Sequence, residues 1–250
     1  MFQHFISAAK SLPTIYQEHL TQSAPKLQNI CVYCGSRPGV DPAFAAAGDA
    51  LGTALARAGL GLVYGGGGGA GIMGTIARAT LAAGGRVTGI IPKFLKARED
   101  MLVGKHDLIE VDDMHQRKRI MFERSDAFVA LPGGIGTLEE LTEQMSWAKL
   151  GQHKKPVLIA DIGGFWQPLL DLLSHMDANG FLQADLGGVI VARDVEEILP
   201  RLYAATSLSA PCKSAKRQTG STWSVAAMID ENEGVGRHEV YQCGPAELLS

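Results

Sequence analysis

Ala130-Leu131-Pro132-Gly133-Gly134-Ile135-Gly136-Thr137-Leu138-Glu139-Glu140 joins an apolar run, a glycine turn and an acid-bearing amphipathic run. Upstream, Asp126 to Leu131 reads as a buried strand. Downstream, Leu138, Leu141, Met145 and Ala148 recur at helical spacing, so the glycines stand where strand becomes helix. The opening N–H groups of a helix have no partner within it, and the helix dipole favours negative charge there. A phosphate can therefore lie against Gly134, Ile135, Gly136 and Thr137. A second reading competes: Thr137-Leu-Glu-Glu140 has the Thr-x-x-Glu spacing of a capping box, in which Glu140 merely reaches back to the helix start. Local spacing leaves both open.

Outward from this stretch, Asn29 to about Tyr203 alternates short apolar runs with longer amphipathic ones, the pattern of a parallel sheet covered by helices on both faces. The expected fold is α/β, a Rossmann-like doubly wound parallel sheet of about seven strands in a single domain. The strands read as Ile30 to Cys34, Gly61 to Tyr64, Arg86 to Ile90, Asp107 to Val111, Ala127 to Leu131, Pro156 to Ala160 and Val189 to Val191. The helices read as Ala43 to Ala58, Ile72 to Ala83, Met114 to Arg124, Leu138 to Leu150, Phe165 to Asn179 and Val195 to Leu202. Residues 1–28 form an N-terminal extension with a short amphipathic pattern, and residues 204–250 a Ser-, Thr- and Lys-rich tail expected to be disordered.

Composition narrows the function classes. A net charge of −3 without a long basic block argues against a nucleic-acid or acidic-membrane surface, so any anion site is local. No stretch has membrane-spanning length and no export signal opens the chain, so a cytoplasmic protein is expected. The four cysteines do not make a disulfide framework. Cys31-Val-Tyr-Cys34 could pass for a metal or redox pair, but a zinc site needs about four ligands and no second pair has suitable spacing. No metal is expected.

Two further glycine segments fall at predicted strand ends, where ligands collect in open α/β sheets. In Tyr64-Gly-Gly-Gly-Gly-Gly-Ala-Gly-Ile-Met-Gly74, Gly66, Gly68 and Gly71 formally satisfy Gly-x-Gly-x-x-Gly, a cheap match in a glycine run. That fingerprint needs an acidic residue closing the next strand, and Arg86 to Pro92 ends without one, so an ordinary NAD enzyme is disfavoured. No Gly-x-x-x-x-Gly-Lys-Ser/Thr segment is present, which argues against P-loop chemistry. Cys34-Gly35-Ser36-Arg37-Pro38-Gly39 either brings Gly35 and Ser36 to a ligand or is a plain turn. Met114-His-Gln-Arg117-Lys118-Arg119 opens a helix. Neighbouring helix positions diverge by about 100°, so Arg117 and Lys118 point different ways and only one can face a site. Taken alone, the cluster is equally a solvated face.

Met-x-x-Arg-Lys at 114–118 followed by Pro-Gly-Gly-x-Gly-Thr-x-x-Glu at 132–140 resembles the Lonely Guy family of phosphoribohydrolases, whose members were often mislabelled lysine decarboxylases. The resemblance spans roughly Asn29 to Tyr203 and includes Cys34-Gly35-Ser36 with Gly39, Met73-Gly74, Pro92 with Arg98-Glu99, and Trp147-Ala-x-Leu-Gly151. It implies hydrolysis of the N-glycosidic bond of a nucleoside 5′-monophosphate, AMP or a cytokinin riboside 5′-monophosphate, to free base and ribose 5-phosphate. It further implies no cofactor and a homodimer or larger homo-oligomer. By motif match Arg117 and Glu140 become the catalytic pair. Gly35, Ser36, Glu99, Arg117, Lys118, Gly133, Gly134, Ile135, Gly136, Thr137, Leu138, Glu139, Glu140 and Ser146 line the substrate site. Two positions depart from the family pattern: Ser146 stands where the family often has Thr, and the segment between Tyr64 and Met73 is one residue longer than usual. The alternatives are a non-catalytic nucleotide-binding protein on the same fold, and pyridoxal-phosphate decarboxylation. The latter predicts a Schiff-base lysine, and no lysine sits in a setting that singles it out.

Overall fold

Apolar runs alternating with amphipathic ones produce seven strands: β1 (Asn29–Tyr33), β2 (Gly61–Tyr64), β3 (Val87–Pro92), β4 (Asp107–Val111), β5 (Ala127–Ala130), β6 (Val157–Ala160) and β7 (Ile190–Ala192). They come from a computed structural model that describes residues 27–67, 69–96, 102, 106–182 and 188–208. The strands form one sheet in the order β4-β3-β2-β1-β5-β6-β7, and every pair is parallel. Between them run α1 (Pro42–Arg57), α2 (Ile72–Ala82), the short α3 (Lys93–Lys96), α4 (Met114–Glu123), α5 (Ile135–Lys149), α6 (Gln167–Ala178) and α7 (Val195–Leu208). The expectation of a doubly wound parallel α/β sheet is met.

Because side chains alternate across a strand, each central strand feeds two cores. On one face Ile30 and Val32 pack with Leu51 and Leu55 of α1, Ile72 and Ile76 of α2, and Ile198 and Leu202 of α7. On the other, Cys31, Tyr33 and Phe128 pack with Met121 of α4, Leu141 and Met145 of α5, and Leu173 of α6. Cys31 and Cys34 thus lie on opposite faces of the sheet, and burial pushes both thiols well above their ordinary pKa. They are inert core residues. Cys212 and Cys243 lie outside the described residues, as do most of the N-terminal extension and the tail beyond Leu208.

Local chemistry sets the helix starts. Asp41 accepts a hydrogen bond from Ala43 N with Pro42 at the first helical position, and Asp113 accepts one from Gln116 N to open α4. The α1 and α2 backbones approach closely at Gly52, where a Cβ would lie 2.5 Å from the Ile76 carbonyl oxygen. Three helix boundaries differ from expectation by two residues or more. A 3-10 turn over Ile162–Gly164 delays α6 to Gln167, α7 runs on to Leu208, and α5 begins at Ile135 rather than Leu138.

Candidate active site

Sequence order along the sheet reverses between β1 and β5, and at such a switch point the connecting loops part to leave a crevice at the strands' carboxyl ends. The parting is fixed by backbone. Leu131 N donates to Tyr33 O at 2.9 Å, Gly35 N to Pro132 O at 3.0 Å, and Met73 N to Gly35 O at 3.1 Å, which ties together the loops after β1, β2 and β5. The resulting cleft holds about 470 Å³ and is walled by Gly35, Ser36 and Arg37, by Met73, by Met114 and Arg117, by Pro132 to Thr137 with Glu139 and Glu140, and by Phe44 and Phe165. That volume suits a small-molecule ligand.

Its floor is the N-terminus of α5. Gly134 is the N-cap with no side-chain cap, and the first intrahelical bond runs from Leu138 N to Gly134 O at 3.0 Å. The N–H groups of Ile135, Gly136 and Thr137 therefore precede any helical partner, at the positive end of the dipole. A Cβ at Gly134 or Gly136 would meet nothing within 4 Å among the described residues, so none of these requires glycine there. What the missing side chains leave is open backbone facing the cleft. Gly133 differs: a Cβ would lie 2.2 Å from Thr137 Oγ1, and packing alone demands glycine.

The capping-box reading of Glu140 is overturned by this geometry. Thr137 is the third residue of the helix rather than its cap, and Glu140 lies in the second turn, turned inward and only 8% exposed. Its Oε1 lies 3.8 Å from Arg117 Nη2. Desolvation is the largest influence on this carboxyl and raises its pKa to about 7 against the opposing pull of Arg117. Arg117 is itself buried, with Nη2 donating to Gly65 O at 3.3 Å and Nη1 lying 3.6 Å from the Met114 sulfur. Its Nε has no hydrogen-bond partner among the described residues. The site thus pairs a buried carboxyl and a buried cation with a helix end whose first N–H groups have no helical partner.

The helical divergence of Arg117 and Lys118 resolves in favour of Arg117 as the cleft residue. Lys118 Nζ pairs with Glu139 at 2.5 Å and Glu143 at 3.0 Å, tying α4 to α5. Of the other expected substrate residues, Gly35, Ser36, Gly133, Gly134, Ile135, Gly136, Thr137 and Glu139 line the cleft. Leu138 and Ser146 are on α5 but not on the cleft wall, and Ser146 is exposed. Glu99, like Arg98, lies outside the described residues. Phe44 and Phe165, whose rings meet edge to face at 5.4 Å, were missed by sequence reasoning, which had no signal for two aromatics on separate elements. Met73 and Met114 stood in the motifs, and Arg37 in the loop after β1, without any assigned contact.

In the second glycine segment, Gly71 answers to packing. At Gly71, the N-cap of α2, a Cβ would lie 2.2 Å from Ser36 backbone, and β3 closes on Pro92 with no carboxylate for a ribose. Among the described residues no group of three or more His, Cys, Asp or Glu side chains is gathered for a metal ion. No described helix is long and apolar enough to cross a membrane.

Comparison with known proteins adds the following. A family profile described as "Possible lysine decarboxylase" matches residues 73–202. The cytokinin riboside 5′-monophosphate phosphoribohydrolase of Rhodococcoides fascians is 42% identical over 177 residues, covering 70% of this chain and 89% of that protein. Arabidopsis thaliana LOG1, named for the same activity, is 42% identical over 178 residues, covering 71% of this chain and 83% of its own. Among solved structures, the molybdenum cofactor carrier protein of Chlamydomonas reinhardtii superposes with a TM-score of 0.57 at 21% identity, covering 73% of this chain and 99% of that one. The molybdenum cofactor binding protein of Rippkaea orientalis gives 0.53 at 22% identity, covering 72% and 98%. At such identities these structures share the fold and nothing more.

Proposed function

The chain belongs to the Lonely Guy family of phosphoribohydrolases, and from that premise we propose that it hydrolyses the N-glycosidic bond of a nucleoside 5′-monophosphate, AMP or a cytokinin riboside 5′-monophosphate. The products are free base and ribose 5-phosphate. One observation carries the assignment of residues: a buried carboxyl with a pKa near 7, Glu140, stands beside a buried arginine just inside a helix whose first N–H groups face the cleft.

In this reading the 5′-phosphate lies against the N–H groups of Ile135, Gly136 and Thr137, with Gly35 and Ser36 closing the other side. Glu140 is five residues further along α5 than its first residue, about 7 Å along the axis, which sets it toward the ribose. As the C1′–N bond breaks, its electron pair leaves with the base and positive charge grows on the sugar. Ionised Glu140 stabilises that charge and accepts a proton from the water that adds to C1′. The departing base takes up a proton. Arg117 keeps Glu140 ionised and oriented, and its unpartnered Nε and planar fork remain available to the phosphate. Energy from the non-reacting phosphate holds the ribose in the reactive pose. The protein acts as a homodimer or larger homo-oligomer in the cytoplasm, the oligomer being checked by light scattering on the purified chain.

The test is chromatographic. The purified protein is incubated with AMP, with N6-isopentenyladenosine 5′-monophosphate and with adenosine, and free base is measured. Base released from a monophosphate and far more slowly from adenosine supports the reading. Equal turnover of AMP and adenosine would remove the phosphate from the mechanism. Nucleotide binding without base release would instead identify a non-catalytic nucleotide-binding protein.

A further inference from the structure

Gly65 follows the last residue of β2 and touches the guanidinium that the mechanism uses. A Cβ built on it would lie 2.0 Å from Arg117 Nη2, 3.2 Å from Arg117 Cζ and 3.2 Å from the Met73 sulfur. Its backbone is not in the left-handed region, so conformation does not require glycine here. The next residue, Gly66, is the contrast: φ is +83° and a Cβ would lie 2.9 Å from Ile91 Cβ. Two adjacent glycines thus have separate causes, backbone shape at Gly66 and free space at Gly65. The space at Gly65 is filled by an arginine that also hydrogen-bonds its carbonyl, while Met114 sulfur lies beside the other terminal nitrogen.

We infer that Gly65 is a positioning residue of the active site: its bare Cα and carbonyl form the seat that holds the Arg117 guanidinium beside Glu140. The inference rests on the proposed role of Arg117. It also gives a purpose to the glycine that opens the loop after β2, which neither a dinucleotide nor a P-loop site explains. The atom a new Cβ would strike is the far end of a flexible side chain, so Gly65→Ala displaces the arginine rather than the sheet. With Met73 and Met114 hemming it in and only 7% of Arg117 exposed, the displaced group cannot keep its place beside Glu140.

Gly65→Ala, Arg117→Ala and the double variant are assayed for base release and melted, with Gly69→Ala as control, since a Cβ there meets nothing within 4 Å among the described residues. Gly65→Ala is expected to lower kcat on the order of a hundredfold, the scale of a misplaced catalytic group. It should also move the acid limb of kcat/KM to higher pH, because Arg117 is the chief group holding the Glu140 pKa down. In the Arg117→Ala background the same change should cost no more than about twofold in residual rate and leave the melting temperature where Arg117→Ala puts it, since a residue acting through another is non-additive with it. Gly69→Ala should leave rate and limb unchanged. Losses that multiply in the double variant, a double variant melting well below Arg117→Ala, or an unmoved acid limb would overturn the inference and leave Arg117's role intact. Full activity in Arg117→Ala would refute the underlying reading and the inference with it.

Discussion

Replacing Glu140 by Gln tests the electrostatics of the site through two measurements that ought to move in opposite directions. The folded protein raises the Glu140 pKa from 4.5 to about 7, chiefly by burial. Below the lower value the carboxyl is protonated in both folded and unfolded chains and stability is unaffected. Between the two, the unfolded chain loses the proton while the folded chain keeps it, so stability falls as pH rises and the loss is complete above the folded pKa. At about 1.36 kcal/mol per unit, ionised Glu140 costs the wild-type fold up to about 3 kcal/mol. Gln occupies the same space and never ionises. The variant should therefore melt with the wild type near pH 4 and above it at pH 7 and beyond, by roughly 6–12 °C for a domain of this size. Its base-release rate should fall by on the order of a hundredfold or more. The assay is a pair of melting curves at each pH from 4 to 9, with kinetics at pH 8. A difference in melting temperature that does not change with pH, or a variant less stable at pH 8, would refute the burial argument. Retained activity would refute the catalytic one.

Other expectations follow from the same geometry. The acid limb of kcat/KM should fall tenfold per pH unit below about 7, because the ionised carboxylate is the working form; a fall on the alkaline side instead would make Glu140 the acid. Lys118→Met removes a cation that helps keep Glu140 ionised and leaves Glu139 and Glu143 facing each other, so activity should drop more at pH 6.5 than at pH 8.5, with about 1–3 kcal/mol lost from stability in denaturant titration. Gly52→Ala drives a Cβ against the Ile76 carbonyl oxygen at 2.5 Å. It should cost about 1–3 kcal/mol in the same titration while kcat per folded molecule stays at the wild-type value, since no cleft residue is touched.

Much of the fold was legible because the physics that sets it is periodic. Buried parallel strands read as apolar runs, and each of the seven strands occurs within a residue or two of its expected place. The start of α5 was misplaced by three residues for a definite reason. Thr137 with Glu140 imitates a cap, whereas the actual cap, Gly134, has no side chain to announce itself. Arg117 and Lys118 were known to diverge, but which one enters the cleft depends on how α4 rolls against the sheet, and a sequence does not carry that roll. Phe44 and Phe165 are far apart in the chain and meet only because α1 begins near the end of β6, so no local pattern foretold them. Gly66, Gly68 and Gly71 after β2 matched a dinucleotide fingerprint only formally, and Gly66 and Gly71 are explained instead by backbone shape and by contact with Ser36. Such causes emerge only when the neighbours are in place.

The pKa of Glu140 was the least legible feature and the most consequential, since it is a balance of burial and four neighbouring charges that no motif encodes. Desolvation, with Glu139 and Glu143 behind it, favours the neutral acid, while Arg117 and Lys118 favour the carboxylate, and desolvation wins by enough to reach about 7. A carboxylate in that condition is poorly solvated and only partly neutralised at 3.8 Å from its arginine. It therefore has much to gain from a positive charge placed beside it. A neutral ribose in the ground state offers none, whereas the ribosyl cation of the breaking C1′–N bond does, so the attraction is realised only as the reaction proceeds. A phosphate against α5 holds the sugar where that gain is made. Burying an acid by a helix end destabilises the resting fold by the same interaction that would lower the barrier. A protein that only carried a nucleotide would gain from the helix end and have no use for the acid.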